Sequence, residues 1–271
     1  MTHFYTKEEI EREAPTVMAA GPDEFRSDRY VFVSSEKIID SMEEAGWGVS
    51  KVRTPNVRVA SPQHCRHEIV FRSRDESLKF QDPRAEQLHT YGDFEAIVHP
   101  ELRVTNSSDG STRVEIAAGM MATICSNGLT VTLSDFGSFS SKHLGFDSNS
   151  AYSITSDFVG RIPNIVSRID EFTGINLNRR EALEFASAAK ELRWTGDRSA
   201  MVDPSDLLNA RRPEDAGDDL WRVYNVVQEN LIRGGFSSVN TKRRVRPIQN
   251  IKLDNDINKG LWDLAESYCL N

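Results

Sequence analysis

The sequence predicts an α+β fold with an antiparallel sheet at about residues 47–135, packed with helices, and a helical C-terminal half. Three observations support this class. Within the first segment apolar residues tend to alternate with a period of two, as in strands. Asp109-Gly110 lies between two alternating runs, which indicates a hairpin. Beyond residue 150 the apolar residues recur at helical spacing, and strands followed by helices are typical of α+β domains.

The first element is a helix that begins after Ser34. A serine is a favoured N-cap, and Ile38, Ile39 and Met42 then form an apolar stripe. Gly46 follows as a C-terminal cap residue. This combination of cap, stripe and glycine predicts a helix between the serine and the glycine, after which short strands begin.

The clearest strands are those that flank the Asp-Gly turn. We expect Leu102–Asn106 and Thr112–Ile116 to pair as an antiparallel hairpin through Ser107–Gly110. The uncharged stretch that follows carries Cys125 and is expected to be buried beside the hairpin.

The C-terminal half contains four helical patterns. Asn178 with Glu181 three residues later resembles a capping box, which predicts that the second of these helices begins there. The apolar stripes themselves cover residues 158–172, 182–192, 220–231 and 257–268, and Gly234-Gly235 closes the third.

The chain of 271 residues is long enough for one large domain. Residues 1–29 are polar and acid-rich and are expected to form a poorly fixed lead-in. Residues 30–271 are expected to form a single α+β domain, with any sub-boundary near residues 147–155. The sequence shows no secretory signal and no membrane span, and its three cysteines suit a reducing environment, so a cytoplasmic location is expected.

The net charge of −8 conceals a strong asymmetry. Residues 51–74 carry six bases and one acid, and residues 231–252 carry six bases and no acid. Arginine can pair with phosphate oxygens through two parallel hydrogen bonds, so the two segments are candidates for a nucleic-acid-binding face. The candidate binding residues are Arg53, Arg58, Arg72, Arg74, Arg233, Lys242, Arg243, Arg244 and Arg246. The competing interpretation is that these arginines pair with nearby acids, among them the segment 203–219.

Other chemistry has weaker support. His64, Cys65 and His67 are three potential zinc ligands, but a second pair at a recognised spacing is lacking. Cys125 beside His143 would be a candidate nucleophile, although its apolar neighbours indicate an inert buried thiol. No phosphate-binding glycine motif is present. We therefore predict no metal, no cofactor and no catalytic residues, and an enzyme is the less favoured class.

Three segments resemble a known family. They are His67-Glu-Ile-Val-Phe-Arg72, then Leu102 to Gly110 with Asn106-Ser-Ser-Asp-Gly, then Cys125-Ser-Asn-Gly-Leu129. In this order they are similar to a phage- and plasmid-borne family, the domain of unknown function numbered nine-three-two. Ser108 stands where that family has a histidine. The resemblance implies a mobile-element setting and no particular chemistry.

The leading functional hypothesis is a phage or plasmid accessory protein that binds nucleic acid, such as single-stranded DNA in replication or recombination. The alternatives are a protein-binding inhibitor of a host defence system and an enzyme of unrecognised class. Homo-oligomerisation and a host or phage protein partner remain open, and no membrane association is expected.

Overall fold

The structure is a computed structural model that describes residues 3–24, 32–55, 64–84, 96–123, 128–130, 147–239 and 241–270. The helices in these residues are α1 Lys7–Glu13, α2 Ser35–Glu44, α3 Ser148–Gly174, α4 Arg179–Glu191, α5 Leu220–Arg233 and α6 Ile251–Tyr268. The strands are β1 Trp47–Arg53, β2 His67–Ser73, β3 Phe80–Gln81, β4 Ile97–Asn106, β5 Glu115–Ala122 and β6 Gly128–Thr130. The predicted α+β class is confirmed.

The strands form one sheet in the order β1-β2-β4-β5-β6, with β3 beside β4. In the antiparallel pair β2–β4, His67 lies opposite Asn106 and Phe71 opposite Leu102. Alternate residues of β2 therefore share one face, and this face carries His67, Ile69 and Phe71, all with no solvent exposure. The other face carries the charged residues of the same strand.

The N-terminal segment differs from the expected poorly fixed lead-in. Thr6 and Glu9 form a capping box that opens α1, and Ile10 is fully buried. Ala14 and Val17 are buried as well. These three apolar residues recur at helical spacing, but the many charges around them conceal the pattern in the sequence.

The hairpin β4–β5 is present, with Gly110 in the turn at a φ of 63°. Its second strand begins at Glu115 and not at the predicted Thr112. The side chain of Ser107 explains the difference. Its hydroxyl accepts a hydrogen bond from the Thr112 amide at 3.0 Å and donates to the Thr112 carbonyl at 3.2 Å, so Thr112 bonds within the turn. The predicted burial of Cys125 lies outside the described residues.

The predicted helices of the C-terminal half are confirmed. Asn178 and Glu181 form the expected capping box at the start of α4. Helix α5 is buried along almost its whole length, with Trp221 stacked on Tyr224 at a ring distance of 5.6 Å. Gly234 ends α5 with a φ of 59°. None of the described helices combines the length and the apolar character needed to cross a membrane.

Two compact units make up the chain. Unit 1 contains residues 1–79, 99–120 and 132–162, and unit 2 contains residues 80–98, 121–131 and 163–271. Within α3 the assignment changes at Pro163, which lacks the amide hydrogen of a regular helical residue. The sequence placed any sub-boundary near 147–155. The single domain expected for residues 30–271 stays a prediction.

Candidate functional site

The C-terminal basic segment folds into a short hairpin-like loop after α5. The Gly235 amide donates to the Val245 carbonyl at 2.9 Å, and the Ser238 amide donates to the Arg243 carbonyl at 2.9 Å. We call residues 233–239 and 241–247 the basic loop. Two glycines with positive φ at its start allow the chain to reverse direction directly after the helix.

The cationic side chains of the basic loop surround a concave surface. Arg233, Gly235, Arg243, Arg244, Val245, Arg246 and Pro247 line this surface, which encloses about 720 Å³. Lys242, Arg243, Arg244 and Arg246 are exposed, and among the described residues none of the four has a carboxylate within ion-pair distance. Arg233 is the exception, since its Nη1 lies 3.1 Å from Glu229 Oε1.

Two further arginines donate hydrogen bonds to the backbone of the basic loop. Arg193 Nη2 donates to the Arg246 carbonyl at 2.6 Å, and Arg211 Nη2 donates to the Gly234 carbonyl. Burial lowers the pKa of the Arg193 guanidinium to about 10, so it remains charged at neutral pH. Because both guanidiniums bond to neutral carbonyl oxygens, their charges add to those of the loop.

Guanidinium groups of Arg244 and Arg211 both lie beside Gly235. A Cβ placed on Gly235 would lie 3.6 Å from Arg244 Nη2 and 3.7 Å from Arg211 Nη2. Two positive charges beside the same glycine repel each other, and a bound anion would relieve the repulsion. The site is thus suited to a ligand with several negative charges.

A series of ion pairs positions Arg233 at the edge of this surface. Arg233 and Arg212 both pair with the buried Glu229, and Arg212 also pairs with Asp215 at 3.0 Å. Asp215 in turn accepts a hydrogen bond from Arg84, which has no solvent exposure. The guanidinium of Arg233 is therefore held in place at the edge of the concave surface.

The acidic segment 203–219 is used mainly for local structure. Asp203 and Asp219 cap helical turns, and Asp219 also pairs with Arg222. Burial, followed by the charge of Asp203, raises the pKa of Asp206, and Lys242 opposes this rise. Apart from this influence of Lys242, the described residues show no pairing between the acidic segment and the exposed cations of the basic loop.

The predicted arginines of the sheet have a different setting. Arg53 Nη1 lies 3.0 Å from Glu68 Oε1, and Arg72 Nη2 lies 2.7 Å from Glu101 Oε1. Glu68 and Glu101 are buried, so both arginines serve internal ion pairs. Arg103, which the sequence did not single out, also approaches Glu101 at 3.6 Å. These residues belong to unit 1, whereas the basic loop belongs to unit 2.

Arg74 is half-exposed and lies over the ring of Phe4, with Glu43 at 3.6 Å. Arg58 lies outside the described residues, as do Cys125 and His143. Sequence reasoning missed Arg193 and Arg211, because only the fold brings them to the basic loop.

His67, at the start of the family-like motif, belongs to a buried hydrogen-bond network. Its Nε2 lies 2.7 Å from Ser35 Oγ, and its Nδ1 lies 3.3 Å from Thr16 Oγ1. Asn106 Nδ2 donates to the same serine hydroxyl at 2.8 Å. Burial lowers the pKa of His67 to about 4, so the ring is neutral at pH 7. The network joins α2 to the sheet and has a structural role.

His64, Cys65 and His67 were considered as zinc ligands from the sequence. In the described part of the chain, no group of three or more His, Cys, Asp or Glu side chains is placed to share a metal ion. Burial also raises the pKa of the Cys65 thiol, which disfavours the thiolate that zinc binds.

The chain is similar to two proteins of Escherichia coli K12. UPF0380 protein YfjQ and UPF0380 protein YafZ are each 27% identical to it over 270 residues, which cover 97% of this chain and 90% of each relative. No solved structure matches the chain. The family described as a domain of unknown function (DUF932) matches residues 23–262, and the chain therefore belongs to this family.

Proposed function

We propose that the chain binds the phosphate backbone of a nucleic acid through the basic loop, as an accessory protein of a phage or plasmid. One observation carries the proposal. Four exposed cations without a carboxylate partner among the described residues lie on one loop, and two further charged arginines donate hydrogen bonds to the backbone of this loop. Guanidinium groups bind phosphate oxygens through paired hydrogen bonds, and a protein binds a polyanion most strongly when its cations are clustered.

The sheet arginines contribute less to this proposal than the sequence indicated. Arg53 and Arg72 are held by buried carboxylates, and a guanidinium whose charge is already neutralised gains little from a phosphate. The basic loop is therefore the expected site of contact. The mobile-element setting rests on the resemblance of the sequence motifs alone.

The proposal is tested with a charge-reversal variant, Arg243→Glu/Arg244→Glu/Arg246→Glu. Each phosphate contact contributes a slope of about −0.7 for single strands and −0.9 for duplex in a plot of log affinity against log salt concentration. Fluorescence anisotropy of labelled oligonucleotides should show that the variant binds at least about tenfold more weakly and that its slope is smaller by about two.

A matched control reverses three exposed arginines elsewhere, Arg12→Glu/Arg180→Glu/Arg198→Glu, and changes the net charge by the same amount. Circular dichroism verifies that both variants are folded. We expect the control to keep most of the affinity. Equal losses in the two variants would show a general charge effect and contradict a specific site. If the wild type binds neither single-stranded nor double-stranded DNA or RNA at low salt, the proposal is wrong and the protein-partner alternative takes its place.

A further inference from the structure

An aromatic pair lies directly beside the basic loop. The ring centroids of Trp194 and Phe236 are 6.2 Å apart, and the two rings meet edge to face. Phe236 belongs to the loop itself, where its carbonyl accepts a hydrogen bond from the Val245 amide at 2.8 Å. Both aromatic side chains are partly exposed to solvent.

The position of Trp194 is fixed relative to the loop. The neighbouring Arg193 lies over the indole at 4.6 Å from its centroid, and the same guanidinium donates to the Arg246 carbonyl. Arg193 therefore contacts both the indole of Trp194 and the backbone of the basic loop. Trp194 is the partly exposed tryptophan, whereas Trp47, Trp221 and Trp262 are each exposed by 2% or less.

We infer that the site is built for single-stranded nucleic acid, whose bases stack on Trp194 and Phe236 while the basic loop holds the backbone. The inference rests on the proposed function and adds the class of strand. In a duplex the faces of the bases are stacked inside the helix, whereas a single strand can turn them outward onto aromatic rings. Sites that combine a positively charged groove with exposed aromatic side chains are typical of proteins that bind single strands with little sequence preference.

The distribution of tryptophans provides a direct test. The chain has four tryptophans, and the three others are buried, so a change in indole fluorescence on binding reports mainly on Trp194. Addition of a thymine oligonucleotide should quench this fluorescence and protect it from iodide. An abasic oligonucleotide of the same length should bind through its phosphates without the quenching.

Variants at Trp194 separate stacking from packing. Trp194→Ala should weaken the binding of single strands by about tenfold or more, while duplex binding changes little. Trp194→Phe keeps an aromatic face and should retain most of the affinity. Trp194→Leu keeps an apolar side chain without an aromatic face and should lose affinity as Trp194→Ala does. Circular dichroism verifies the folding of each variant.

The outcomes distinguish the two proposals. If oligonucleotides bind with a salt-dependent affinity that the Arg243, Arg244 and Arg246 reversal removes, but Trp194→Ala binds as the wild type does, the stacking inference is wrong and the backbone proposal stands. Equal affinity for single strands and duplexes would likewise contradict the stacking inference and leave the backbone proposal intact. If no oligonucleotide binds, both are wrong.

Discussion

His67, the first residue of the family-like motif, stabilises the fold through buried hydrogen bonds. Its imidazole is fully buried and connects Ser35 of α2 with Thr16 of the N-terminal segment. The hydroxyls around this ring bond to both of its nitrogens, but burial makes the charged form of the imidazole costly in free energy and so favours the neutral form. The site therefore makes stability depend on pH.

The direction of this dependence follows from the lowered pKa. His67 titrates near 4 in the folded chain and near 6.5 when unfolded, so between these values only the unfolded chain binds the proton. The free energy of unfolding should therefore fall by about 3 kcal/mol from this group as the pH decreases from 7 to 4. Urea denaturation of His67→Gln should show this part of the dependence removed, while the exposed control His3→Gln keeps it. An unchanged pH profile in His67→Gln would contradict the assignment.

Individual elements could be predicted where their signals are local in sequence. The caps at Ser34, Asn178 and Gly234 each lie within four residues of the groups they satisfy, and all three are confirmed. The start of β5 could not be predicted, because the side chain of Ser107 displaces the beginning of the ladder. The ion pairs of the predicted site arginines could not be predicted either, because the pairing of Arg72 with Glu101 depends on the strand register.

Helix α5 depends on a buried ionic group that no local pattern indicates. Arg84 pairs with Asp82 through two parallel hydrogen bonds and with Asp215 through a third, and Asp82 also accepts a hydrogen bond from the indole of Trp221. All three charged residues are exposed by 2% or less. Without the arginine, the buried carboxylate of Asp82 would lose its cationic partner, and Asp215 would keep Arg212.

Replacement of Arg84 should strongly lower the free energy of unfolding. Arg84→Met leaves the charge of Asp82 buried without its cationic partner and is expected to lower the free energy of unfolding by about 3–5 kcal/mol. The matched control Arg180→Met removes an exposed partner of Glu184 and should cost less than about 1 kcal/mol. Urea midpoints at equal slope measure both changes. A loss in Arg84→Met no larger than in the control would show that the buried group is not needed.

The whole molecule combines a local cluster of positive charge with a net charge of −8. Screening by salt determines whether a polyanion interacts mainly with the local positive cluster or also with the net negative charge of the chain. At 0.1 M salt the Debye length is about 10 Å, so a phosphate backbone at the basic loop interacts mainly with the guanidiniums nearby. At 0.01 M salt this length is about 30 Å, and the negative charges of the remaining chain then repel the same ligand.

Oligonucleotide affinity should for this reason depend on salt in two regimes. Above about 0.1 M, the release of counterions predicts a straight line of negative slope in log affinity against log salt. Towards 0.01 M the line should flatten, because the repulsion from the whole chain increases as screening weakens. Anisotropy titrations across this range measure the curve, with a short basic peptide of the sequence 241–247 as the control that lacks the acidic chain. The peptide should follow one straight line throughout. If the full chain does so as well, its net charge has no influence at the site, and the local cluster alone determines binding.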